Sequence, residues 1–158
     1  MAFHPYDRRA AVDYARRWAY GRNPAYYDFE AIGGDCTNFA SQCLYAGTGI
    51  MNFMPVRGWF YRSAADRTAS WTGVEFLYDF LTENRGPGPR ARVTGPEDVL
   101  PGDLVQLGDG RRFYHCPVIV ATAPELLVAA HSVDSLDRPL SSYRYERARF
   151  LHIEGAAG

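Results

Sequence analysis

The sequence predicts an α+β domain, from a change of hydrophobic periodicity along the chain and from the turn residues that divide it. Residues 6–83 repeat apolar side chains at helical spacing, whereas residues 99–154 carry short apolar runs bounded by Gly, Pro and Asp. Helices followed by consecutive strands point to helices packed on an antiparallel sheet. The chain has 158 residues, the length of one domain, and residues 1–158 are read as one unit because neither half is large enough for a core of its own.

Ala11, Tyr14, Ala15 and Trp18 share one face of a first helix, which should stop near Gly21, before Asn23-Pro24. A second helix is expected after Gly33-Gly34, with Asp35 as its N-cap and Cys36, Phe39, Ala40, Cys43 and Leu44 as its apolar stripe. Residues 47–70 read as an aromatic, glycine-rich loop. Thr72-Gly73-Val74-Glu75 fits a capping box for a third helix bearing Val74, Leu77, Tyr78 and Leu81. GPGPR at 86–90 ends that helix. Strands are expected near 102–107, 113–121, 126–132 and 149–153, the middle two forming a hairpin around Thr122–Glu125.

Composition removes several functions. The 17 basic residues are all Arg and nearly balance 18 acidic ones, so the basic excess of a nucleic-acid binder is missing. The chain has no Lys, which excludes Schiff-base chemistry and Lys-dependent phosphate loops. Three Cys (36, 43 and 116), with no C-x-x-C, make neither a disulfide framework nor a zinc finger. No run of about 18 apolar residues is long enough for a membrane span, and MAFHPYDRRAA lacks the apolar segment of an export signal. As it stands the chain therefore reads as cytoplasmic, although a trimmed exported protein would look the same.

GGDCTNFASQCL at 33–44 is the strongest local signal. A Cys at a helix start faces unpaired backbone N–H groups and the positive end of the helix dipole, which favours a nucleophilic thiolate. Burial as a small apolar side chain is the competing reading of Cys36, and the preferred one for Cys43. A thiol nucleophile needs a base. His4 and His152 read as structural or solvated. His115 opens HCPVIVA and His131 closes LLVAAHS, so hairpin pairing brings both to one edge of the sheet, where one can act as base and the other orient it. Cys116 should point to the opposite face from His115, into the core. A zinc site from Cys36, His115, Cys116 and His131 is disfavoured because adjacent strand residues cannot aim at one ion.

NPAYY (23–27), DCTNFASQCL (35–44), GW (58–59), SWTGVEFLYDFL (70–81), PGDLVQ (101–106), H-x-PVIV (115–120) and AAHSVD (129–134) together resemble the bacterial putative amidase domain, the Amidase_6 family. The resemblance runs from about residue 8 to residue 153. Its wider pattern is similar to the NlpC/P60 and CHAP cell-wall peptidases. That implies a papain-like fold, with the nucleophile Cys at a helix start packed on a C-terminal antiparallel sheet. Carried over, Asp35-Cys36 matches the nucleophile pair, His115 the base and His131 the third residue, with Asp134 as runner-up. Cys116-Pro117 departs from the family pattern. Pro117 cannot donate to a ladder, so this strand is expected at an edge or starting one residue later.

The expected activity is cysteine-dependent hydrolysis of peptide-like amides, with a peptidoglycan stem peptide as the substrate the resemblance implies and no cofactor. In that reading the Cys36 backbone N–H serves the oxyanion, and Tyr26 or Tyr27 is the candidate second donor. Asn38 and Gln42 read as facing solvent or nearby loops. Two alternatives stand beside it: a catalytically silent module binding a cell-wall peptide, and a transglutaminase-like acyltransferase.

Overall fold

The computed structural model describes all 158 residues. The first strand, β1 (Phe3–His4), precedes helix α1 (Arg8–Trp18), whose N-cap Asp7 accepts a hydrogen bond from the Ala10 N–H at 3.0 Å. Ala11 and Ala15 are fully buried and let α1 lie against α2 (Cys36–Thr48). Helix α2 is wrapped on nearly every side, with Thr37 through Leu44 all buried. Gly47 is required near its end, because a Cβ there would stand 2.3 Å from the Tyr6 ring.

The segment expected as a loop contains more order than its composition suggests. A small hairpin, β2 (Tyr61–Ser63) with β3 (Asp66–Arg67), leads into a short α3 (Ala69–Thr72) and then α4 (Val74–Glu83). Trp59 and Trp71 are fully buried, their rings 4.6 Å apart. The expected capping box does not form. Thr72 ends α3, and Gly73 stands at the N-cap of α4 with no side-chain cap bond.

The remaining strands are β4 (Gly88–Thr94), β5 (Leu104–Gly108), β6 (Phe113–His115), β7 (Val118–Ala121), β8 (Leu127–Ala130), β9 (Ser135–Pro139) and β10 (Arg147–Ala157). They form one antiparallel sheet in the order β1-β10-β5-β7-β8-β9, with β4 also on β10 and β6 on β5. The α+β class is therefore as expected. Strands β4 and β9 lay outside the sequence reading, because Pro and charged residues interrupt their apolar pattern. The anticipated 113–121 strand breaks at Cys116-Pro117 and resumes at Val118, as Pro117 requires.

Strict alternation along β5 divides the core in two. Leu104 faces the helices with Phe39, Trp59, Trp71, Val118 and Leu151. Val105 and Leu107 face the other side with Ile119, Val128, Leu140 and Phe150. Asp103, from PGDLV, anchors the junction and is fully buried. It accepts from Arg8 Nη1 at 2.7 Å, Ile153 N–H at 2.9 Å, Leu100 N–H at 2.8 Å and His152 Nδ1 at 3.0 Å. That full set of partners is what a buried carboxylate needs. No helix is long and apolar enough to cross a membrane.

Candidate active site

Cys36 is the first residue of α2. The chain reaches it through Gly33 and Gly34, whose φ angles of +104° and +95° few other residues adopt. The Cys36 side chain is partly buried, its Sγ 3.7 Å from the Thr37 hydroxyl and 4.0 Å from the Tyr114 carbonyl oxygen. The sulfur thus rests on the segment Tyr114–Cys116, the stretch of chain that bears His115.

The thiol does not behave as its helix position alone suggests. Burial pushes its pKa above the ordinary thiol value, outweighing the Thr37 hydroxyl and the Cys116 and Thr37 backbone N–H groups that favour the thiolate. The expected lowered pKa is therefore corrected. The helix dipole contributes a few tenths to about 1 kcal/mol and is overcome by desolvation. Cys43 and Cys116 are fully buried in the helix-side core, and all three thiols are free.

Asp35 stands at the N-cap of α2, as expected, but not as a capping side chain. Its side chain makes no cap bond and turns inward instead. Oδ1 accepts from the Phe29 N–H and from Asn38 Nδ2, each at 2.9 Å. Oδ2 accepts from His131 Nδ1 at 2.6 Å. The other nitrogen of His131, Nε2, lies 2.8 Å from the Trp18 carbonyl oxygen, and the ring stacks on Phe39 with centroids 4.1 Å apart. Nε2 also lies 3.1 Å from Arg22 Nη1, so both nitrogens are engaged.

His131 and His115 are not brought together. The ring anticipated to orient His115 has neither nitrogen to spare. The register supplies the reason: Val118 pairs with Ala129, and continuing that ladder sets His131 across from Cys116 instead of His115. His131 consequently shares the helix face with Cys116, whose Sγ accepts from Gln106 Nε2 at 3.5 Å. His115 pairs with Leu107 and projects to the opposite face. There its ring lies 5.5 Å from that of Tyr143, with no hydrogen-bond partner in the protein. Burial, with a smaller contribution from Arg138, lowers its pKa to about 4, so the imidazole is neutral at pH 7.

Arg22, unremarked in the sequence, ties these parts together. Nη1 and Nη2 donate to the two carboxylate oxygens of Asp134 at 2.9 and 3.2 Å. Its Nε is 3.2 Å from Asp28 and 3.5 Å from Asp35, and Nη2 is 3.8 Å from Glu30. One cation therefore faces four carboxylates. Asp134, the runner-up third residue, is engaged here and not at His115. The available signal for Arg22 was its place in GRNPAYY, as the one charged residue between the first helix and the tyrosines.

Asn38 and Gln42, expected to face solvent or nearby loops, are buried, and Asn38 reaches the loop at Tyr27. Asn38 donates to the Tyr27 carbonyl oxygen and accepts from Trp71 Nε1, each at 2.9 Å, while Gln42 accepts from the Tyr14 hydroxyl. Tyr26 stacks with Trp71 and Tyr61, and Tyr27 packs edge-on against Phe29. Neither hydroxyl is turned to Cys36 by a hydrogen bond. His4 and His152 bond to Gly158 and Asp103. No group of three or more His, Cys, Asp or Glu side chains is arranged to hold a metal ion. The aromatic loop walls a cavity of about 610 Å³ against α4, lined by Met54, Phe76, Asp79 and Glu83 among others and separate from Cys36.

With this geometry in view, comparison with known proteins places the chain in a family. The model of the putative amidase domain, Amidase_6, matches residues 5–153, and the chain belongs to that family. It is 38% identical over 121 residues to the uncharacterized protein YhbB of Bacillus subtilis (strain 168). That alignment covers 73% of this chain but 37% of the relative, so the chain spans little more than a third of that protein's length. No solved structure matches.

Proposed function

We propose that the protein is a cysteine-dependent amide hydrolase acting on peptide-like bonds, with Cys36 as nucleophile and His115 as base on a papain-like arrangement. The observation that carries this reading is the seating of the Cys36 sulfur at a helix start, against the strand segment that bears His115. Membership of an amidase family agrees with hydrolysis. Similarity to the NlpC/P60 and CHAP peptidases supports a peptidoglycan stem peptide as substrate.

In this reading the resting pair is a neutral thiol and a neutral imidazole. No hydrogen bond joins them at rest, and substrate binding must turn the imidazole from the far face of the sheet toward the sulfur. His115 takes the thiol proton as Cys36 Sγ attacks the carbonyl carbon. The tetrahedral oxyanion is met by the Cys36 backbone N–H at the helix start. The imidazolium then protonates the leaving amine, leaving a thioester that water cleaves with His115 again as base. His131 acts at one remove: its bond to Asp35 holds the residue before the nucleophile.

A silent binding module on the same fold is favoured by one observation, the raised thiol with no imidazole bonded to it. Incubation of wild type and Cys36→Ala with digested peptidoglycan fragments, read by mass spectrometry, separates the two. Cleavage by wild type alone is expected. Unchanged fragments in both samples remove the cell-wall substrate, and cleavage by both rejects Cys36 as nucleophile.

A further inference from the structure

His115 needs a group to fix which of its nitrogens carries the proton, and neither His131 nor Asp134 is free to do so. Tyr143 is the polar side chain packed on the imidazole, with ring centroids 5.5 Å apart and planes inclined at 45°. Its hydroxyl is buried and has no hydrogen-bond partner. An unpaired buried hydroxyl is costly, so one that persists beside an equally unpartnered imidazole calls for an explanation. The Tyr143 ring is itself held on its other contacts: the Arg138 guanidinium lies 3.6 Å from its centroid and is fixed by Arg138 Nε donating to Ser142 Oγ at 2.8 Å. The hydroxyl is closed to solvent, which removes it as a donor to a substrate oxygen, and the imidazole is the hydrogen-bonding ring that its own ring packs against.

We propose that Tyr143 is the positioning residue for His115, accepting the N–H of the neutral imidazole on its phenol oxygen in the working enzyme. The other ring nitrogen then keeps its lone pair, ready to accept the thiol proton once the imidazole turns to the sulfur. When that proton arrives, the same contact stabilises the imidazolium. Closing the pair requires the rings to turn toward each other, and Arg138 limits how far the phenol can turn. The assignment rests on His115 as the base, and it moves the third role from the histidine of the neighbouring strand to a tyrosine beyond β9.

The test is the tautomer of His115, read from ring 15N shifts in nitrogen-labelled wild type and Tyr143→Phe at neutral pH. Tyr143→Phe removes one oxygen that holds no other group, so the fold is expected to persist, and unchanged His131 signals confirm that it does. One tautomer should dominate in wild type, and the ratio should fall by about tenfold in the variant, the worth of one net hydrogen bond. An identical ratio in both proteins overturns the assignment. Alkylation of Cys36 by iodoacetamide is followed in parallel in wild type and His115→Ala. An identical pH profile in those two removes His115 as base without touching the tautomer result, so failure of the pairing and failure of the activity are distinguishable.

Discussion

His115 ends β6 and His131 follows β8, and their surroundings differ in kind. His131 is sealed in the core with partners at both nitrogens and an aromatic ring beneath it. His115 is partly buried with a partner at neither, and its charge is suppressed by burial. A buried imidazole whose hydrogen bonds are all made is spent on structure, whereas one that keeps a lone pair can move a proton. The contrast assigns the first to holding the helix start and the second to chemistry.

The contrast breaks most visibly if His131 is removed. His131→Leu strips Asp35 of its shortest bond and leaves Oδ2 of a buried carboxylate with only the more distant Arg22, while Oδ1 keeps the Phe29 N–H and Asn38. A stability loss of about 3–5 kcal/mol is expected, as for other broken buried pairs. Urea denaturation measures it, and a loss under about 1 kcal/mol would show that the pair is dispensable.

The next effect belongs to His115 and depends on pH. Its folded pKa of about 4 lies below the unfolded value near 6.5. Between those values the unfolded chain binds more protons, so stability falls as pH drops from about 6.5 to 4, by at most about 3 kcal/mol. His115→Gln cannot titrate. Relative to wild type it should gain stability at pH 4.5 over pH 7, and an unchanged difference at the two pH values would refute the buried neutral state.

Arg22→Met sharpens the other side of the comparison. Four carboxylates then face no cation, with an expected cost of about 1–3 kcal/mol near neutral pH. The defect should shrink toward pH 3 as the carboxylates protonate. A cost independent of pH would point to lost packing by the arginine stem. The smallest effect is kinetic. Cys36 alkylation should keep accelerating with pH beyond the range where a free thiol levels off, because burial raises its pKa. A profile at or below the free-thiol range would restore the helix dipole as the dominant influence.

Much of the frame was legible in the residues. Helical spacing located α1, α2 and α4, and period-two alternation put Cys116 in the core with His115 on the other face. The same alternation, carried across the hairpin, was not followed to His131. One position of register separates a partner from a residue on the opposite face, and register is set jointly by the turn and by burial on both sides. Asp35 likewise reads as a cap from its neighbours alone. Its actual partners, Phe29, Asn38 and His131, come from three separate places along the chain.

By itself, then, the sequence determined the α+β class, a cysteine at the opening of a central helix, a histidine at the end of each of two short apolar runs and the absence of lysine chemistry. These follow from periodicity and residue type, which are local. Tertiary structure alone decided which histidine is spent on Asp35, that Arg22 gathers four carboxylates, that Tyr143 lies against His115 and that the Cys36 thiol is raised instead of lowered. Each of these depends on desolvation and on contacts between residues far apart in the chain, and no local pattern records either.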